Sequence, residues 1–364
     1  MAEPYFSEED LELASYEVYW RDLCAFLEAR GYVLRPRFRP GWQPSWKTRQ
    51  IPIYETEDYI GLPLHGTRMI DATRVSDGKL VYLKKVSSSS QELSICQYFS
   101  TEEIRHDSRN HCVPLLDVLQ HPTDPEVSFM VMPFLRPIDD PAFETIEDVL
   151  DCGEQIIEGL AFMHEHGVAH RDCAYQNVMM DGTALYPEGF HPVFTESLPD
   201  ASSAAPVLPR STVHVTYYLV DFGISTRFAS GQSPRLVLGD DGLEDTVPEL
   251  SKEVPYDPFK TDIYILGALF RRTFLEKFSN LEMIASLVMS MTAMDPAARP
   301  DASKALEAWK SIRSKVSALQ RSWRVKPRNE SILGGMFRDA LTLVNSALHG
   351  TSLGPLPTAH GGRC

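Results

Sequence analysis

The residues able to do chemistry fall in one ordered series. Lys84 closes the run Val81-Tyr82-Leu83 in a segment with strand character. His170-Arg171-Asp172 comes next, with Asn177 five residues beyond the aspartate. Asp221-Phe222-Gly223 directly follows the apolar stretch 217–220, and Val247-Pro248-Glu249, Asp262 and Arg299-Pro300 complete the set. A lysine ammonium meets anions as a point charge. Carboxylate and amide oxygens suit small divalent cations, and a positioned aspartate can take up a proton. Any one of these alone is unremarkable, since a strand lysine is usually a solvated surface residue and such tripeptides arise by chance. Their appearance together, in this order, is what sets them apart. His164, His166 and His170 suggest no zinc site, because Gly167 breaks the helix between them and no third ligand type stands near.

The elements that would position these residues can be read from pattern. Ser7, followed by Glu8, Glu9 and Asp10, predicts a helix start. Apolar positions 13, 16, 19, 20, 23, 26 and 27 continue it, and Gly31 stops it. Residues 32–50, rich in Arg, Pro and Trp, read as an extended strap over the body of the protein; a basic-aromatic nucleic-acid site would need more than this one segment. Strands are expected at 68–75 and 80–86 around the turn Ser76-Asp77-Gly78-Lys79, and at 113–119 and 127–132. A helix capped by Ser90 lies between the pairs. Helices dominate from 134, opening with the capping box of Thr145 and Asp148 and continuing at 262–275, 280–294 and 302–319. Segment 195–213, rich in Ser, Ala and Pro, reads as an inserted mobile loop, and 350–364 as a frayed end. The expected division is 1–50 for the helix and strap, 51–133 for a β-rich part, 134–316 for a helical part with an insertion at about 182–214, and 317–364 for a tail.

The ordered set resembles the signature of eukaryotic-type protein kinases over about 55–315, and also divergent kinase-like families of mushroom-forming fungi. The resemblance implies an α+β bilobal fold, with a small antiparallel β-rich N-lobe carrying one helix and a larger, mainly helical C-lobe. It implies transfer of the γ-phosphate of ATP to a protein hydroxyl with Mg²⁺. Phosphoryl transfer leaves a protein little covalent work beyond positioning and charge neutralisation. The implied catalytic residues are Lys84, Asp172, Asn177 and Asp221. Asp172 would be the base, Asp221 and Asn177 would hold Mg²⁺, and Lys84 would hold the α/β-phosphates. Glu92 would pair with Lys84, although eight residues is a short spacing for kinases, and Glu102 or Glu103 is the alternative. Gly61 and Gly66 would remain from the phosphate loop. Met132 would guard the back pocket, while the Pro133 carbonyl and the Leu135 N–H would meet adenine. Glu249 would pair with Arg299, Asp262 would brace the catalytic loop, and His170 would pack beneath it. In an activation segment at 221–249, Arg171 would receive a phosphorylated residue, or else a built-in carboxylate from Asp240, Asp241, Glu244 or Asp245.

The sequence also departs from the family pattern. Pro63 removes a donor from the loop at 59–67, where only two glycines remain. Ala174 and Gln176 stand where a second catalytic cation is usual, and no threonine that selects the hydroxyl acceptor is recognisable before Val247. The alternative reading is therefore a pseudokinase, a nucleotide-binding or scaffolding module with little transfer. Composition bounds both readings. The 364 residues carry 35 basic and 50 acidic side chains, net −15, with 43% hydrophobic, as in an ordinary globular protein. That charge disfavours nucleic-acid or anionic-membrane partners, and the resemblance implies ATP and a protein substrate. Six cysteines without a C-x-x-C pair indicate buried free thiols. With neither a secretory start nor an 18-residue apolar run, the expected setting is intracellular and soluble, cytoplasmic or nuclear.

Overall fold

The computed structural model describes residues 11–49, 56–61 and 68–331. Ser7, Gly66 with the rest of 62–67, and the tail beyond 331 lie outside the described residues.

The sheet of the N-lobe has the order β1-β2-β3-β5-β4 and is antiparallel throughout. Its strands are β1 (Tyr32–Val33), β2 (Met69–Arg74), β3 (Leu80–Ser87), β4 (Asp117–Gln120) and β5 (Val127–Pro133). The strap therefore supplies an edge strand, with Tyr32 opposite Arg74 and Val33 opposite Thr73. Side chains alternate across the central strands. Val81, Leu83, Phe129 and Val131 turn to one face and meet Trp20, Leu23 and Leu27 of helix α1 (Ser15–Ala29). Lys84 and Tyr82 turn to the other. The N-terminal extension thus covers the outer face of a sheet whose inner face lines the cleft.

Helix α1 starts after Ala14 rather than at Ser7. Glu17 accepts the Ala14 N–H at 2.9 Å and is anchored by Arg37 at 2.9 Å, and this buried pair fixes where the helix begins. The rest of the strap folds into a 3-10 turn, Pro36–Phe38, and a short helix α2 (Trp46–Arg49). Helix α3 (Gln91–Phe99) follows β3 after one tight turn, capped by Ser90.

The larger lobe is built on α4 (Ile146–Glu165), whose Thr145–Asp148 capping box is formed and which Gly167 ends at φ +70°. Around it pack α5 (Pro258–Phe270), α6 (Ala285–Met291) and α7 (Ala302–Lys315), with α8 (Ala318–Arg321) beyond. The stretch expected as one helix at 302–319 is divided between the last two, because Val316 and Ser317 are extended. Short strands frame the cleft floor: β6 (Arg136–Pro137), β7 (Val168–Ala169), β8 (Val178–Asp181), β9 (Thr216–Leu219) and β10 (Thr226–Arg227). A hairpin, β11 (Val237–Gly239) with β12 (Ser251–Tyr256), lies further along.

The insertion is tied to the body of the C-lobe by buried anchors, while most of residues 200–209 is exposed. Arg210, 4% exposed, donates to the carbonyls of Ile138 and Pro141 and to the Tyr217 hydroxyl. Arg136, fully buried, lies against the rings of Tyr186 and Phe190 and donates to the Thr195 carbonyl. Such guanidinium anchors are long-range, so polar composition alone misreads the segment as loose. Its His191 reaches Glu57, in the turn Glu57–Tyr59 ahead of the sheet, Nε2 to Oε1 3.4 Å, and Glu57 in turn meets Arg35 of the strap, which holds Asp71 of β2. A cavity of about 670 Å³ beside this contact is lined by Tyr16, Arg37, Gly61 and Phe194, none of them in the series around Lys84 and Asp172.

Candidate active site

The two lobes bring the ordered series together. Lys84 sits on the cleft face of β3, and α3 delivers Glu92 to it at 2.6 Å, Nζ to Oε1. The short spacing works because α3 begins only four residues after β3 ends. Glu102 lies apart on the surface, paired with Arg105, so it does not take this place. Lys84 Nζ also donates to Asp221 Oδ1 at 3.0 Å. Burial works to lower the lysine pKa, but Glu92 and Asp221 outweigh it and hold the group above its ordinary value, as an ammonium. Asp221 sits at φ +60° and accepts the Gly223 N–H. Burial opposes its ionisation, yet Lys84 and that N–H hold its pKa below the ordinary value.

The catalytic loop hangs from one carboxylate. Asp262 of α5, fully buried, accepts the N–H groups of His170 at 2.8 Å and Arg171 at 2.6 Å, and His164 Nε2 at 2.8 Å. His170 is buried, bonded to the Val220 carbonyl at 3.0 Å and packed on Phe222. Burial pushes its pKa down. Asn177 donates from Nδ2 to the Asp172 backbone oxygen at 2.9 Å and to Oδ2 at 2.8 Å. Asp172 is half-buried, and burial is the main cause of a pKa pushed up to about 6.

At the hinge, Met132 opposes Tyr82 and Pro133 opposes Val81, three ladder positions from Lys84, or about 10 Å along the strand. Met132 is 9% exposed and Leu135 4%. Tyr82 stacks on Phe134 at 4.6 Å, and Phe190 of the insertion packs on Phe134 at 5.5 Å. Of the two glycines, Gly61 is described: a Cβ there would meet Glu17 Oε1 at 2.8 Å. Glu249 and Arg299 form a bidentate pair, 2.5 and 2.8 Å.

The Arg171 guanidinium makes no ion pair with a carboxylate. It donates to the carbonyls of Ile224 at 3.0 Å and Leu238 at 2.8 Å. Of the acids expected as its partners, Asp240 pairs with Lys252 and Glu244 with Arg272. Backbone carbonyls fill the role because β11 folds back against the loop. Sequence reading also missed the Leu243 N–H, which donates to Asp172 Oδ1 at 2.7 Å; a backbone donor leaves no trace in residue type.

Residues 65–322, more than half of the chain, match the protein kinase domain family, and the chain belongs to that family. Among solved structures, the crystal structure of the Rad53 kinase domain and SCD2 in complex with AMPPNP is similar at 14% identity and a TM-score of 0.37, over 66% of this chain and 86% of that one. No curated protein matches. Among the described residues, no helix is long and apolar enough to cross a membrane.

Proposed function

We propose that this protein is an ATP-dependent kinase that phosphorylates protein hydroxyls, with Lys84, Asp172, Asn177 and Asp221 as its working residues. The observation that carries the reading is the joined polar cluster: Lys84 bonded to both Glu92 and Asp221, with Asp172 and Asn177 bonded to each other in the catalytic loop. The base of ATP would sit between Tyr82 and the hinge at Met132, Pro133 and Leu135, with its phosphates directed to Lys84. Both donors of the Asn177 amide turn to Asp172, so its oxygen faces the other way, and the Asp221 carboxylate is about half exposed. That donor set, one carboxylate and one amide oxygen, suits Mg²⁺. The ion would neutralise charge on the phosphates. Asp172 would accept the hydrogen of the attacking hydroxyl and orient it.

Ala174 favours a second reading, a nucleotide-binding module with little transfer. It is 8% exposed and brings no charge to the catalytic loop. One experiment separates the two. Purified protein is given Mg²⁺ and γ-labelled ATP with generic protein substrates, beside Asp172→Asn and Lys84→Ala. Transfer lost in both variants supports the kinase. Thermal stabilisation by nucleotide without transfer supports the binding module. Neither stabilisation nor transfer would sink both.

A further inference from the structure

The Asp172 carboxylate is held from two sides. Asn177 is one donor, and the other is the Leu243 N–H at 2.7 Å. Leu243 is not kept there by its side chain, which is largely exposed (the residue is 55% exposed). The neighbouring residue does the holding. Glu244 is nearly inaccessible, 3% exposed, and receives both Nη atoms of Arg272, at 2.5 and 3.0 Å. It also accepts the Thr246 N–H at 3.2 Å and the Thr246 hydroxyl. Gly242, on the other side of Leu243, fits closely: a Cβ there would stand 3.2 Å from the Arg171 carbonyl and 3.4 Å from Asp172 Oδ1. Arg272 itself lies just past α5, in the wider turn Arg271–Leu275, and is bonded to Glu244 rather than to Asp172.

We propose that Arg272 and Glu244 form a latch that sets the Leu243 N–H on the carboxylate of Asp172, making Arg272 a positioning residue for the base. The proposal rests on reading this site as a phosphotransfer centre. A buried carboxylate left without its arginine is strained electrostatically and draws water or a proton. Segment 240–246 would then lift, and Asp172 would lose one of the two donors that hold its carboxylate in place.

The test uses the full chain with Arg272→Met and, in case that variant does not fold, Glu244→Gln. Hydrogen exchange at the Leu243 amide, the single-turnover rate of transfer and the KM for ATP are read. In the wild type the amide is protected, and either variant speeds its exchange by about tenfold or more, as expected for a lost bond of ordinary strength. The single-turnover rate at saturating ATP falls by about tenfold, as expected for a displaced base, while the KM for ATP stays unchanged and Arg272→Lys recovers part of the rate. A merely structural role would lower thermal stability and leave the rate of the folded variant where it was. Rapid exchange at Leu243 in the wild type, or an unchanged rate in a folded variant, overturns the proposal. If the wild type transfers no phosphate, the functional reading has failed, and the exchange rates alone decide whether the latch exists.

Discussion

Gly153→Ala should destabilise the protein, although glycine inside a helix ordinarily costs about 1 kcal/mol relative to alanine. Gly153 lies within α4, directly beneath Trp309 of α7. A Cβ there would stand 2.1 Å from Trp309 Cζ2 and 2.5 Å from Cη2. The indole cannot step aside. It is fully buried, its Nε1–H donates to the Leu150 carbonyl at 2.9 Å, and its ring packs on Phe270 at 5.1 Å. Overpacking of this kind costs about 1–3 kcal/mol. Displacing the indole also breaks its bond to Leu150, leaving a buried donor and acceptor unmet at about 1–3 kcal/mol. Against these stands the gain of about 1 kcal/mol in helix propensity, for a net loss near 3 kcal/mol. At about 2–4 °C per kcal/mol for a body of this size, the melting temperature should fall by roughly 6–12 °C. Calorimetry and urea denaturation measure it. Trp309→Phe in the same background should be less harmful than in the wild type, because the smaller ring makes room. An unchanged or raised melting temperature, or strictly additive effects in the double variant, would refute the packing argument.

The rate of transfer should fall below pH 6, because burial raises Asp172 to about 6 and the base must be ionised. At pH 5 about a tenth of the rate at pH 7.5 should remain, where a carboxylate at about 3.9 would keep nine-tenths; single-turnover rates across pH decide between them. Arg299→Ala should cost about 3–5 kcal/mol in urea denaturation by stranding Glu249, since Arg299 is fully buried and its pair is bidentate. The double change Arg299→Met with Glu249→Leu should recover part of that loss. Trp20→Ala should cost about 3–5 kcal/mol, because the indole is fully buried on Phe129 at 5.6 Å; faster hydrogen exchange in β2 and β3 would report it.

The parts of the fold written in side-chain type could be read ahead of the structure. Strand alternation placed Lys84 on β3, the Thr145–Asp148 box placed the start of α4, and Ser90 placed that of α3. The resemblance of the ordered set to the kinase signature is what singled out Lys84, Glu92 and Asp221, which the structure joins by hydrogen bonds. What escaped depends on backbone or on distant guanidinium groups. Tyr32 and Val33 join the sheet through a two-residue ladder that no composition announces. The insertion owes its order to Arg136 and Arg210, which look like surface charges until the carbonyls they satisfy are known. Opposite charges matched on paper offer Arg171 a phosphorylated residue or a carboxylate, whereas the fold gives its guanidinium carbonyls. Gly153 reads as a flaw in a helix until Trp309 is seen above it.

The contact between His191 and Glu57 bears on how the cleft can open. The chain crosses from one lobe to the other at the hinge, and the lobes touch again at several places, among them Lys84 with Asp221, Val113 with Leu219, and the insertion with Glu57. His191 is fully buried, and its Nδ1 accepts the N–H groups of Val193 and Phe194, which leaves the proton on Nε2 for Glu57. An opening of the cleft that draws the insertion away from residues 56–61 has to break this bond in addition to the one between Lys84 and Asp221. The contact is a clasp on the outer side of the lobes, and it resists the separation of Lys84 from Asp172.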